Sequence, residues 1–439
     1  MAHRFIFKLT VVFCALPVVW AQTPPPASPA AAPLTIDLAS ALRMAREYSQ
    51  QFLAAGVAVN LAREDRVQAK AAFLPTLNIL NQYLYTQGNG TQSGVFVANN
   101  GVHVYSEEAV VHEELFSLTR RAEYRRALAA EAVARARLDV AARGVVATVV
   151  QAYYAMISAQ RRLVNAGTAL AEARRFVDLT QQQEKGGEVA HADVIKAQLQ
   201  LQQRERELAE AQLALDKAKA SLGVLLLRDP AQDFTVVDDL ATLAPLNPMG
   251  EIQTVAQNRS PDLRAAQATL QQAQYGVAAA RGALYPSLVL DYFYGFNSNA
   301  LTLHTPEGAR NYGSVAQATV NVPVWTWGAT QSKVRQAQLQ QRQAQVDLQF
   351  AQRLLQAALT QFYLEAQTAR TQLESLRSSL DLSVESLRLT LLRYQAGEAT
   401  ALEVVDAQST LVLARNGYDD GLARYRVALA SLQTLTGVL

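Results

Sequence analysis

The 439-residue chain is written twice, and that doubling constrains its fold more than any other feature. Ala71-Ala72-Phe73-Leu74-Pro75-Thr76-Leu77 recurs 211 residues on as Gly282-Ala283-Leu284-Tyr285-Pro286-Ser287-Leu288. Glu114-Leu115-Phe116-Ser117 recurs 209 residues on as Pro323-Val324-Trp325-Thr326. Gly186-Gly187-Glu188, with Asp193-Val194 and Ala197-Gln198 downstream, recurs 210 residues on as Ala396-Gly397-Glu398, Glu403-Val404 and Ala407-Gln408. Three landmarks in one order define two copies of one unit of about 200 residues. The copies span residues 34–240 and 246–439, joined near Asp238 to Pro248.

Periodicity changes in the same order within each copy. An Ala-rich stretch (Leu38 to Phe73; Ile252 to Leu284) predicts a helix that ends at an X-Pro dipeptide, where the residue before proline is pushed to extended geometry. A strand follows, Thr76 to Thr86 or Ser287 to Asn297, then a Gly- and Asn-rich loop and a return strand, Val102 to Leu115 or Tyr312 to Val322. Leu288, Leu290, Tyr292, Tyr294 and Phe296 share one face and Ser287, Asp291 and Gly295 the other. A strand of about 10 residues with an aromatic face has the length and pattern of a membrane β-strand. Taken alone, the strand pattern favours an amphipathic strand of a soluble sheet, and it is the rest of the chain that shifts the balance.

The longest helical pattern carries a heptad seam, with Leu355, Phe362, Ala369, Leu376 and Ser383 in one series and Leu359, Ala366, Leu373, Leu380 and Leu387 in the other. Leu382 and Leu389 begin a second stripe, which suits closed layers of helices better than an isolated pair. The first copy gives a similar helix from about Arg121 to Glu184. Each long helix meets a tight turn, Lys185-Gly186-Gly187 or Gln395-Ala396-Gly397, with glycine free to close it in the left-handed conformation. A second helix runs back, Ala192 to Leu226 or Leu402 to Leu435. The expected architecture is strand hairpins joined to long helical hairpins, twice over.

At the N-terminus, His3, Arg4 and Lys8 precede an apolar core from Leu9 to Val19, and Val19-Trp20-Ala21 offers a cleavage site: residues 1–21 read as a secretory signal. Residues 22–33 read as a Pro- and Ala-rich linker. Cys14, the single cysteine, lies inside the signal core, so disulfides, thiolate metal sites and a Cys nucleophile are not expected in the mature chain. With 40 basic and 38 acidic residues, and two of the basic ones in the signal, the mature chain is formally neutral. That argues against nucleic-acid binding by bulk electrostatics. His103, His112, His191 and His304 are scattered, no catalytic constellation stands out, and no cofactor is implied.

Four strands cannot close a barrel, since the smallest membrane barrels use about eight and lipid tolerates no open edge. Strands that enter a membrane therefore require several chains to share one barrel. The helical hairpins carry too many Gln, Arg and Glu to cross hydrocarbon and belong in water. A secreted chain of this kind fits a Gram-negative outer membrane. The alternative is a periplasmic coiled-coil adaptor or scaffold, which leaves the doubled strand hairpins unused.

The landmarks carry a family resemblance across residues 34 to 439. They are Leu34-Thr35-Ile36-Asp37-Leu38, Leu74-Pro75 and Tyr285-Pro286, Val322-Pro323-Val324-Trp325-Thr326-Trp327-Gly328, Tyr394-Gln395-Ala396-Gly397, and Leu402-Glu403-Val404-Val405-Asp406-Ala407-Gln408. In these the chain resembles the TolC-like outer-membrane efflux proteins. The resemblance implies a mainly α fold with a β-barrel part, a homotrimer with a twelve-stranded barrel in outer-membrane lipid, and a continuous helical tunnel. Partners would be a periplasmic adaptor and an inner-membrane pump, in efflux or type I secretion. Pro323, Trp325 and Gly328 would form the strand-to-helix junction, and Gly187 and Gly397 the tips an adaptor meets.

Glu403 and Asp406 lie three apart and share a helix face. The resemblance implies that both point into the tunnel entrance, each forming a ring of three charges in a trimer. Thr400-Ala401-Leu402-Glu403 also has capping-box spacing, so closing the helix start is the alternative for Glu403. Asp193 aligns in the first copy and either faces the same constriction or serves as a first-turn carboxylate. Tyr394 matches a family tyrosine that holds the tips closed. Ala399 stands where the family has an arginine, which implies a weaker or different latch.

Overall fold

Pro75 and Pro286 set the plan of both copies. At each, an Ala-rich helix closes in two tight turns, with the Phe73 and Leu74 amides donating to Lys70 and Ala71, and the Leu284 and Tyr285 amides to Arg281 and Gly282. The chain then turns extended into a strand. The computed structural model describes residues 34–85, 103–230, 232–305, 308 and 310–437. The signal, the linker and Thr86 to Val102 lie outside these.

The first copy runs β1 (Leu34–Ile36), α1 (Leu38–Tyr48), α2 (Gln50–Ala71), β2 (Thr76–Tyr85), β3 (His103–Phe116), α3 (Leu118–Lys185), α4 (His191–Leu226) and β4 (Phe234–Val236). The second runs α5 (Met249–Arg259), α6 (Pro261–Gly282), β5 (Ser287–Ser298), β6 (Tyr312–Asn321), α7 (Ala329–Gln395) and α8 (Ala401–Thr436). Each stretch expected as one helix before the X-Pro dipeptide is two. Ser49 leaves the helical region and caps α2, its hydroxyl accepting from the Phe52 amide. Ser260 precedes Pro261, which bars it from the helix and starts α6 at its favoured first position.

The four longer strands form one antiparallel sheet in the order β2-β3-β5-β6, so the two copies meet at β3–β5. Asp291 pairs with His112 on one side and Gln317 on the other, and His112 pairs with Thr76. One polar row thus crosses all four strands on the face opposite Leu290, Tyr292 and Tyr294. Within it, His112 Nδ1 and Asp291 Oδ1 are 2.6 Å apart. Both edge strands, β2 and β6, are exposed along their whole length. Gly295 marks the closest approach of β5 to β3, where a Cβ would meet the Glu107 carbonyl oxygen at 2.2 Å.

At 1.5 Å per residue, the 68 residues of α3 and 67 of α7 each run about 100 Å, while α4 and α8, with 36 each, run about half that. The shorter helices lie end to end beside them. Towards the sheet, α3 takes α2 and α6, with Arg66 to Glu131 at 2.5 Å and Arg143 to Asp262 at 3.0 Å. Towards the far end it takes α4 and α8. In α7 the expected seam is buried at Leu355, Leu359, Ala366, Ala369, Leu373, Ser383 and Leu387, whereas Leu382 and Leu389 are exposed.

Sequence reasoning missed the parallel pair β1–β4, because three-residue strands carry no periodicity. It sits at the centre of the largest core, where Ile36 and Phe234 pack with Val149, Tyr153, Ile157 and Leu222. Among the described residues one helix, α3, contains a window long and apolar enough to cross a membrane. This core occupies part of that window, which accounts for its apolarity. The joint between the copies is stapled here. Asp238 accepts from the Arg161 guanidinium at 2.6 and 2.9 Å, Asp239 accepts from Arg426 and Tyr154, and the Tyr425 hydroxyl donates to the Ala244 carbonyl at 2.6 Å. Burial pushes the Tyr154 phenol up to about 12, so it stays a neutral donor.

Gly282, the last residue of α6, lies where a Cβ would meet the Thr119 amide nitrogen at 2.7 Å and its Cα at 2.9 Å. Backbone cannot yield as a side chain does, so Gly282→Ala is expected to cost about 1–3 kcal/mol by overpacking. A thermal unfolding curve followed by circular dichroism, shifted to lower temperature relative to the native chain, is the check.

Candidate pore entrance at the helical tips

The two helical hairpins end in the same turn. Gly187 and Gly397 have φ of 76° and 78°, a conformation open to glycine at little cost. The Glu188 amide donates to Gln183 and the Gly187 amide to Glu184, and the second copy repeats the pattern with Glu398 to Arg393 and Gly397 to Tyr394. α3, α4, α7 and α8 converge on a second core of Phe176, Val177, Ala197, Leu387, Tyr394, Ala401, Val404 and Leu411.

Tyr394 is the centre of that core, 2% exposed. Its ring stands edge-on to Phe176 with centroids 5.2 Å apart, and its hydroxyl lies 3.4 Å from Thr180 Oγ1. Thr180 spends its own proton on the Phe176 carbonyl at 2.8 Å, which leaves its oxygen free to accept from the tyrosine. Burial pushes the Tyr394 phenol up, and the Asp193 charge adds to the effect. A neutral Tyr394 on α7 is therefore fastened to α3 of the other copy. Nothing in the sequence marked Phe176 or Thr180, because the contact crosses 214 residues.

Glu403 closes the start of α8. The Thr400 hydroxyl oxygen accepts from the Glu403 amide at 3.3 Å, and Glu403 Oε1 accepts from the Thr400 amide at 3.1 Å. The hydrogen bonds that its carboxylate accepts from the Thr400 amide and the Thr400 hydroxyl, and then the Arg393 charge, hold the Glu403 carboxyl below the usual carboxylate range. Arg393 Nη1 lies 3.5 Å from Glu403 Oε2, and Nη2 donates to the Glu398 carbonyl at 3.0 Å. Sequence reasoning passed over Arg393, although a basic residue in the last turn of α7 was a legible signal.

Asp406 follows on the same face, exposed, its carboxylate meeting no partner among the described residues. Asp193 sits at the equivalent place to Glu403 in the first turn of α4, partly buried, with Lys196 Nζ 3.7 Å from its Oδ1. Ala190 stands where Thr400 stands in the second copy, so no capping box can form there. The structure thus brings Asp193 and Tyr394 together and keeps Glu403 and Asp406 one turn apart on α8.

The other singled-out residues lie far from the tips. Pro323, Trp325 and Gly328 occupy residues 322–328, between β6 and α7. Trp327 and Gly328, with φ of 52° and 80°, turn the chain into the helix. Trp325 and Trp327 are 73% and 89% exposed and stand edge-to-face.

The described residues thus form a four-stranded sheet with two open edges, set at one end of helices about 100 Å long. The outer membrane efflux protein family pattern matches residues 41–226 and again 253–438, and the chain belongs to that family. It is thus an outer-membrane efflux channel protein. It is 27% identical to CyaE of Bordetella pertussis over 322 residues, 71% of this chain and 67% of that protein. To the outer membrane protein TolC of Vibrio cholerae it is 23% identical over 410 residues, 92% and 91% of the two chains. The crystal structure of VceC from Vibrio cholerae shares the fold with a TM-score of 0.79, covering 91% of this chain and 96% of that one at 18% identity.

Truncating Tyr394 to Ala removes a buried ring from the tip core and is expected to cost about 3–5 kcal/mol. Tyr394→Phe keeps the ring, loses one long hydrogen bond and costs about 1 kcal/mol. Amide hydrogen exchange in residues 176–190 and 390–404 measures both, the Ala variant exchanging far faster. A depressed carboxyl contributes above its ordinary range and loses that contribution as pH falls through the lowered value. The protection factor of the Thr400 amide should accordingly be flat above about pH 5 and fall below about pH 4.

Proposed function

We propose that three copies of this chain form one passive duct, with twelve strands closed into a barrel in the outer membrane and the helices closed into a tunnel in the periplasm. The observation that carries this reading is the pair of exposed edges. β2 and β6 present unpaired backbone along 10 residues each, and the outer face of the sheet carries Leu77, Ile79, Tyr83, Leu290, Tyr292 and Tyr294. In hydrocarbon those edges must be paired, and a neighbouring copy offers the complementary edge. The exposed Leu382 and Leu389 stripe on α7 gives the helices a matching surface for the next copy. Trp325, Trp327 and Tyr285 then fall at the inner membrane boundary, where aromatic side chains favour the interface.

In this reading the polar row of Thr76, His112, Asp291 and Gln317 faces the water-filled lumen. The tips at Gly187 and Gly397 point into the periplasm, toward an adaptor and an inner-membrane pump that supplies the work. The reading for this chain is an exit duct serving one such pump. Asp406 lines the tip opening as a ring of three carboxylates, which attracts cations and repels anions.

Outer-membrane fractionation followed by amine crosslinking is expected to give a trimer, and a monomeric chain in the soluble fraction would sink the duct. In planar bilayers, Asp406→Asn should reduce the cation-to-anion permeability ratio while leaving the trimer intact.

A further inference from the structure

Glu403 and Asp406 share one face of α8, yet their surroundings differ. Both oxygens of Glu403 are occupied, Oε1 by the Thr400 amide and hydroxyl at 3.1 and 3.2 Å and Oε2 by the Arg393 guanidinium at 3.5 Å. Asp406 is exposed, with no partner among the described residues. Arg393 is held in place from its other side, since Nη2 donates to the Glu398 carbonyl in the tip turn itself. The guanidinium therefore bridges the end of α7, the turn and the first turn of α8.

From this we infer that Arg393 is a selectivity-setting residue of the entrance: it neutralises Glu403, so that the tip presents one carboxylate ring, that of Asp406, and not two. The inference rests on the duct reading above. The pair is about half exposed, so its bond energy is small. The electrostatic consequence does not depend on that energy. It needs only that the positive charge stay within a Debye length, about 8 Å, of the carboxylate it offsets. The cap on Glu403 fixes one partner and the Glu398 carbonyl fixes the other.

Charge arithmetic separates this from a simple pair of acidic rings. Counting Arg393, Glu403 and Asp406, the native entrance carries one net negative charge per chain. Removing Arg393 leaves two, removing Glu403 leaves none, and removing both restores one. Reversal potentials under a potassium chloride gradient read these states in trimers of the full chain. Arg393→Gln should raise the cation-to-anion permeability ratio by about as much as Asp406→Asn lowers it, and Arg393→Lys should keep the native ratio. Glu403→Gln should lower the ratio as Asp406→Asn does, and the double variant Arg393→Gln, Glu403→Gln should return to the native value.

The double variant keeps the test open if either single change loosens the tip, because a loosened tip alters conductance without restoring a ratio. A native ratio in Arg393→Gln, or a double variant that stays as low as Glu403→Gln, would overturn the role of Arg393. Failure to form any ion-conducting trimer, in the native chain as well as the variants, would instead overturn the duct reading on which it rests.

Discussion

Among the described residues, the four-stranded sheet leaves two rows of backbone N–H and C=O groups with no partner, and the rest of the molecule is arranged around that fact. In water such edges invite unwanted pairing, and in lipid each unpaired group costs several kcal/mol. Among the described residues, neither β2 nor β6 carries a bulge that would blunt its edge, nor is either covered by another element. If copies of the chain complete a barrel, as proposed above, each must first hold its own strands in fixed register. The β3–β5 pairing across the two copies does this, with Gly295 allowing the strands to approach closely.

Fixing a sheet at one end of helices about 100 Å long creates a second problem, since a lever of that length amplifies any slack at its root. The solution lies midway, not at the sheet. Ile36 and Phe234 bring the start of the first copy and its end together as a two-stranded parallel pair on α3, and Leu240 at the joint is fully buried. Arg161 then reaches Asp238 in the joint and Asp419 on α8 at once, with burial opposing and two carboxylates favouring its charge. The joint between the copies is therefore a clamp rather than a hinge.

How much of this was legible in the sequence follows from the range of each interaction. The long helices, the paired strands and the tip glycines were visible because periods of 3.6, 3.5 and 2 and a turn that needs positive φ are local signals. The breaks at Ser49 and Ser260 were readable in principle, as a capping serine and a pre-proline residue, but Ala-rich helicity on both sides masked them. The β1–β4 pair was not readable, since its partners lie 200 residues apart in three-residue strands. At the tips, the capping box on Glu403 was in the text as Thr400-Ala401-Leu402-Glu403. The fastening of Tyr394 to Thr180 and Phe176 was not, because it depends on how α3 and α7 of different copies converge.

The neutral charge balance takes on a different meaning once the pairs are placed. Along the contact of α3 with α8 the charges are consumed in twos and threes: Arg415 with Glu172 at 3.3 Å, Asn165 with Asp419 at 2.9 Å, Arg162 with Asp420 at 2.6 Å. Of these, the exposed Arg162–Asp420 pair adds little stability. What such pairs do is cancel charge locally along the helices. Against such a background a carboxylate without a partner weighs more than its number suggests. Among the described residues Asp406, one turn beyond a glutamate whose two oxygens are both engaged, is such a group.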